Sequence, residues 1–228
     1  MTLEDNINIQ NIELWNELNS KFDFKLIYSK DEISWRVNTE RDPIEIYTSS
    51  KTPNIPSFTH ELLHVYIESN GMSSDRDILN SMYGTDSFQI LTNNDLFARI
   101  HNYCSHTKMF PYFIKMGFKE CDFIADRIKL SFISYYILKI MLKSKKSKET
   151  VITDFIGHTM ALFNDNETAN KKATTRSLNK LKKLNPPLFK IIEDFNIEWR
   201  NSENLNLSYY FEIFDHNLND WLVENKIL

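Results

Sequence analysis

His60, Glu61 and His64 form an H-E-x-x-H pattern inside the largely apolar run from Ile55 to Gly71. Side chains four residues apart stack on one face of a helix, so His60 and His64 can offer imidazoles to a single metal ion. Glu61 falls one residue round the helix, beside such an ion rather than on it. There it can accept a proton from a water whose pKa zinc lowers to near neutral. The chemistry this spacing suits is hydrolysis.

Such a set works only on a rigid element, and the flanking residues predict one. Pro56 suits a helix start, Ser57 is the expected N-cap, and Asn70-Gly71 is a stop signal. Phe58, Leu62, Val65 and Ser69 make one stripe, which Leu63 and Ile67 widen. Three extended pieces precede this helix: Phe22–Tyr28, Ile33–Asn38 and Ile44–Thr48, each alternating over part of its length. They predict a small antiparallel sheet, with Ile44–Ser49 as the edge to which an extended peptide could add as another strand.

Helices are expected over 7–21 before the sheet, and over 88–116, 119–143, 147–163, 167–184, 187–200 and 206–226 after it. Pro111 should kink or break the first of the later helices, and Gly117 should end it. The fold class is therefore α+β: an N-terminal sheet beside the H-E-x-x-H helix, then a mostly helical part. Residues 1–118 would form the metal-binding core and 119–228 the helical C-terminal part, unless the two make one continuous domain.

Two histidines leave zinc short of donors, since a catalytic site takes three protein ligands and one open position. The segment 88–116 can supply the third. Its apolar stripe runs through Leu96, Ile100, Tyr103, Phe110, Phe113 and Ile114. His106 lies close to that stripe, whereas His101 points nearer the polar side. His106 is the favoured ligand; His101 and the acids Asp86, Glu120, Asp122 and Asp126 are the alternatives. Glu68 could accept from a ligand N–H, Asn102 is more simply a polar helix residue, and His158 or Tyr103 could stabilise an oxyanion.

The chain has 228 residues with 42% apolar content and a net charge of -4, enough for a sizeable core and without a global basic signal for nucleic acid. Cys104 and Cys121 are the only cysteines, which favours a reducing compartment. No basic-then-apolar leader opens the sequence, and the run Ile128–Leu142 is broken by Lys129 and Lys139. A cytoplasmic protein with no membrane partner is expected. Between Asn170 and Leu184 stand Lys171, Lys172, Arg176, Lys180, Lys182 and Lys183 with no acid. That stretch reads as a solvated face, paired with the acidic residues of the C-terminal helices, and no nucleic-acid partner is expected. Tyr209, Tyr210, Phe211 and Trp221 read as core.

At His60–His64 the chain resembles the zincin superfamily of metallopeptidases, and in outline it is similar to bacterial regulatory peptidases of the ImmA/IrrE type. The resemblance implies zinc on His60 and His64, Glu61 as general base and then proton donor, and a peptide or protein substrate. The chain departs from one zincin extension, H-E-x-x-H-x-x-G-x-x-H, because Ile67 and Asn70 stand at its Gly and His. It departs from the ImmA/IrrE type in its best-placed third donor, a histidine where an acid is the rule. The competing expectation is a non-catalytic binding or regulatory protein whose metal only stiffens the fold.

Overall fold

The computed structural model describes residues 1–32, 34–74, 78–80, 82–92, 95–123, 148–165 and 171–227. The expected helix over 119–143 falls almost wholly outside the described residues, as do Asp126 and the side chain of Asp86. The chain forms two compact units, one of Met1–Gly71 with Lys108–Ile124, the other of Met72–Thr107 with Ala125–Leu228.

In the first unit, α1 (Ile12–Asn19) precedes β1 (Phe24–Tyr28), β2 (Arg36–Asn38), β3 (Ile44–Thr48) and α2 (Ile55–Ser69). The sheet order is β1-β3-β2, with β1 parallel and β2 antiparallel to β3. The sheet is thus mixed, not antiparallel. Residues 29–43 carry the chain past the place of β3 and back through β2, so β1 and β3 end up pointing the same way. Only β2 and β3 form the hairpin that the short turns suggested.

Consequently β3 is the centre of the sheet, and the expected edge at Ile44–Ser49 is wrong. Ile44, Ile46 and Thr48 are all buried, so one face of this central strand lies against the core. The edges are β1 and β2, and β2 is the one beside α2.

Helix α2 is held by residues the apolar pattern does not reveal. Its N-cap is Asn54, whose Oδ1 accepts from Ser57 N at 3.1 Å, so the cap lies three residues before the expected Ser57. The side chain of Asn6 in turn accepts from Asn54 N at 2.9 Å, and Asn11 donates to Thr59 Oγ1 at 2.9 Å. Phe58 and Leu62 are fully buried, with Trp15 5.8 Å and Trp35 6.0 Å from the Phe58 ring. Each such buried side chain contributes about 2 kcal/mol. Gly71 ends the helix at φ 105°, which glycine adopts without strain.

In the second unit, the expected helix over 88–116 is two, α3 (Asp86–Thr92) and α4 (Leu96–Lys115), with Asp95 at φ 55° opening the second. Pro111 lies within α4 without breaking it, and Gly117 at φ 90° ends it. Helix α4 is one uninterrupted element that belongs to the second unit through Thr107 and to the first from Lys108. The remaining helices are α5 (Lys148–Phe163), α6 (Lys171–Leu184), α7 (Pro186–Asn201) and α8 (Leu207–Glu224). Asn185 caps α7 ahead of Pro186-Pro187, as Asn54 caps α2 ahead of Pro56. Phe155, Ile192, Trp199, Phe211 and Leu218 fill this core, whereas Tyr209 is exposed rather than core. Among the described residues no helix is long and apolar enough to cross a membrane.

Candidate metal centre

Most of α2 is buried, and its polar residues share in that burial. His60 is 2% and Glu61 5% exposed, while His64 is half-buried. The His60 and His64 rings stand 5.1 Å apart between centroids and 69° apart in plane, as two imidazoles on one helical face do. His106, on α4, is 4% exposed. One ring nitrogen from each of His60, His64 and His106 lies within 4.8 Å of the others.

This donor set fits zinc. Nitrogen donors bind zinc at about 2.0–2.1 Å, so three ligands of one tetrahedral ion stand roughly 3.4 Å apart. Burial pushes the His106 imidazole down to about 3, so it is neutral with a lone pair to give.

The other candidates lie elsewhere. A His101 ring nitrogen is 3.0 Å from the carbonyl of Ser73, and its ring stacks toward Phe97. Glu120 and Asp122 sit on a short 3-10 turn, the first exposed and the second half-buried, outside the group of three histidines. Glu68 is half-buried one turn beyond His64, Asn102 and His158 are half-buried, and Tyr103 is fully buried.

Glu61 has an environment the spacing alone does not disclose. Burial raises its carboxyl from 4.5 to about 8, opposed by a hydrogen bond from the Val37 backbone N–H and by the charge of Arg36. Both opposing groups come from the edge strand β2. Arg36 is itself fixed, 4.3 Å over the Tyr47 ring and 2.9 Å from a Glu32 oxygen. Phe123 closes another side: its ring is 4.8 Å from His60, 5.3 Å from Phe110 and 5.1 Å from Phe113. Sequence reasoning missed Arg36, Val37 and Phe123. The alternation of Arg36–Asn38 signalled a strand, but nothing in it said which helix the strand would lie against.

No protein-family model matches the chain, and neither a curated protein nor a solved structure does.

Proposed function

We propose that this protein is a zinc-dependent metallopeptidase, with His60, His64 and His106 as metal ligands and Glu61 as the catalytic residue. The observation that carries the reading is the three ring nitrogens within 4.8 Å of one another, with a buried carboxyl one residue from the first. Zinc held there would supply a Lewis acid for the scissile carbonyl and a water acidified to near neutral.

The chain's own groups account for the rest. Glu61 takes the proton of the attacking water and returns it to the leaving amine. Burial raises its carboxyl in the metal-free chain, and the charge of a bound zinc beside it would draw it back toward the carboxylate that accepts a proton. The Val37 N–H holds the carboxylate in place, and Phe123 keeps water from the His60 ring. Strand β2, a sheet edge beside α2, offers backbone groups along which an extended peptide can lie.

The test joins metal analysis to a single substitution. The purified protein should hold about one zinc per chain. Glu61→Gln should keep the zinc and the fold while losing peptide hydrolysis, because it removes the base and no ligand. If the parent binds zinc yet cleaves nothing in a broad peptide library, the metal is structural and the peptidase reading fails.

A further inference from the structure

Arg99 and His158 lie close enough to interact within the second unit, apart from the group of three histidines. Arg99 stands seven residues before His106 on α4. Seven residues turn a helix through about 700°, within roughly 20° of two full turns, and advance it about 10.5 Å. Arg99 and His106 therefore share one face of the helix.

Arg99 is half-buried, its Nε is shut off from water without a hydrogen-bond partner, and among the described residues its guanidinium pairs with no acid. Helix α5 meets it at Gly157, where an added Cβ would lie 3.7 Å from both Nη atoms. The next residue, His158, is half-buried. Burial holds its imidazole below the usual range, opposed by Asp154 one turn earlier and assisted by the positive charge of Arg99.

A guanidinium whose Nε is withdrawn from water without an acceptor is costly, and the ligand that relieves it best is an oxyanion held by two parallel N–H bonds. The nearby Asp154 carboxylate disfavours a doubly charged guest, so a carboxylate suits this place better than a phosphate.

We propose that Arg99 and His158 form a subsite for a peptide carboxylate about three residues from the scissile bond. The spacing follows from the rise of about 10.5 Å along α4, which about three extended residues cover. The assignment rests on the peptidase reading for its register, though not for the capture of the anion. A free C-terminus and an acidic side chain present the same group, and the experiment separates them.

Zinc-loaded full-length Glu61→Gln protein is titrated calorimetrically with four probes: a short peptide ending in a free carboxylate, its amide, that amide with glutamate at the same position, and inorganic phosphate. The acid peptide should bind about tenfold tighter than its amide, as a charge-assisted fork predicts. Arg99→Gln should erase the difference, while Arg99→Lys and His158→Gln should each keep part of it. The glutamate-bearing amide matches the acid if a side chain serves, and matches the plain amide if only a C-terminus does. Equal binding of acid and amide, no binding of the acid, tighter binding of phosphate, or a preference that survives Arg99→Gln would each overturn the subsite. The same acid peptide should shift the His158 imidazole resonance in zinc-free protein. If the preference holds in a parent that cleaves nothing, the peptidase reading fails and the subsite stands. If cleavage occurs but treats acid and amide alike, the reverse is true.

Discussion

Helices α2 and α6 both carry residue types that suggest function, and the fold treats them in opposite ways. In α2, His60 and Glu61 are buried, along with Thr59 and Ser57. In α6 every lysine and arginine is exposed, and Leu181 is its one buried residue. Withdrawing a carboxyl or an imidazole from water costs free energy that only a specific partner or role repays. Leaving a lysine in water costs nothing. The difference between the helices therefore singles out the first as the candidate for a specific role, although the second has the denser charge pattern.

The sharpest way to break that comparison is to remove one imidazole. His106→Ala should weaken zinc affinity by orders of magnitude, because the site drops to two protein donors. His101→Ala should leave affinity unchanged, since that ring lies against the Ser73 carbonyl. Titration against a competing chelator measures both, and the opposite result would move the ligand role to His101. Next in size is Glu61→Gln, which should lower the rate of peptide hydrolysis by about 10²–10⁴-fold, with zinc stoichiometry intact.

The buried groups also make opposite contributions to stability against pH in zinc-free protein. Glu61 is raised from 4.5 to about 8, so its contribution is full below 4.5 and is lost as pH rises through 8. His106 is lowered from 6.5 to about 3, so its contribution is present above 6.5 and is lost as pH falls toward 3. Each effect is on the order of a few kcal/mol. Denaturant unfolding across pH should show Glu61→Gln flattening the alkaline slope alone and His106→Gln the acid slope alone. An unchanged alkaline slope in Glu61→Gln would mean that its carboxyl is solvated.

What was legible in the sequence was whatever depended on local periodicity. The spacing of His60, Glu61 and His64 put them on one helix, and the stripe through Tyr103 and Phe110 gave His106 the inward side that the structure gives it. The α+β class followed in the same way. Strand order was not legible, because Ile44–Thr48 alternates alike at a centre or an edge, and only the path of 29–43 decides. The cap at Asn54 is itself a local signal, an Asn two residues before Pro56, and only its anchor on Asn6, far away in sequence, was out of reach. Arg36, Val37 and Phe123 escaped for the same reason: they reach the site from other elements.

The smallest expected effect is in α6, and it sharpens the comparison from the other side. Of its cations, Lys182 lies 3.3 Å from a Glu193 oxygen and 5.4 Å over the Phe189 ring. An ion pair this open to solvent gains little Coulomb energy, and holding two long side chains in one geometry spends much of it. Lys182→Ala should therefore change stability by about 0.5 kcal/mol or less, close to the error of a denaturant titration. For nucleic acid the expectation is no appreciable binding near physiological salt, since a single basic helix works against the net charge of -4. Phosphate contacts release counterions, so real binding would weaken steeply as salt rises. Tight, salt-sensitive binding that disappears when Lys180, Lys182 and Lys183 become Glu would make α6 a functional surface after all. Exposure would then no longer separate the two helices, and burial would lose its force as a guide to which charged residues of this chain are there to act.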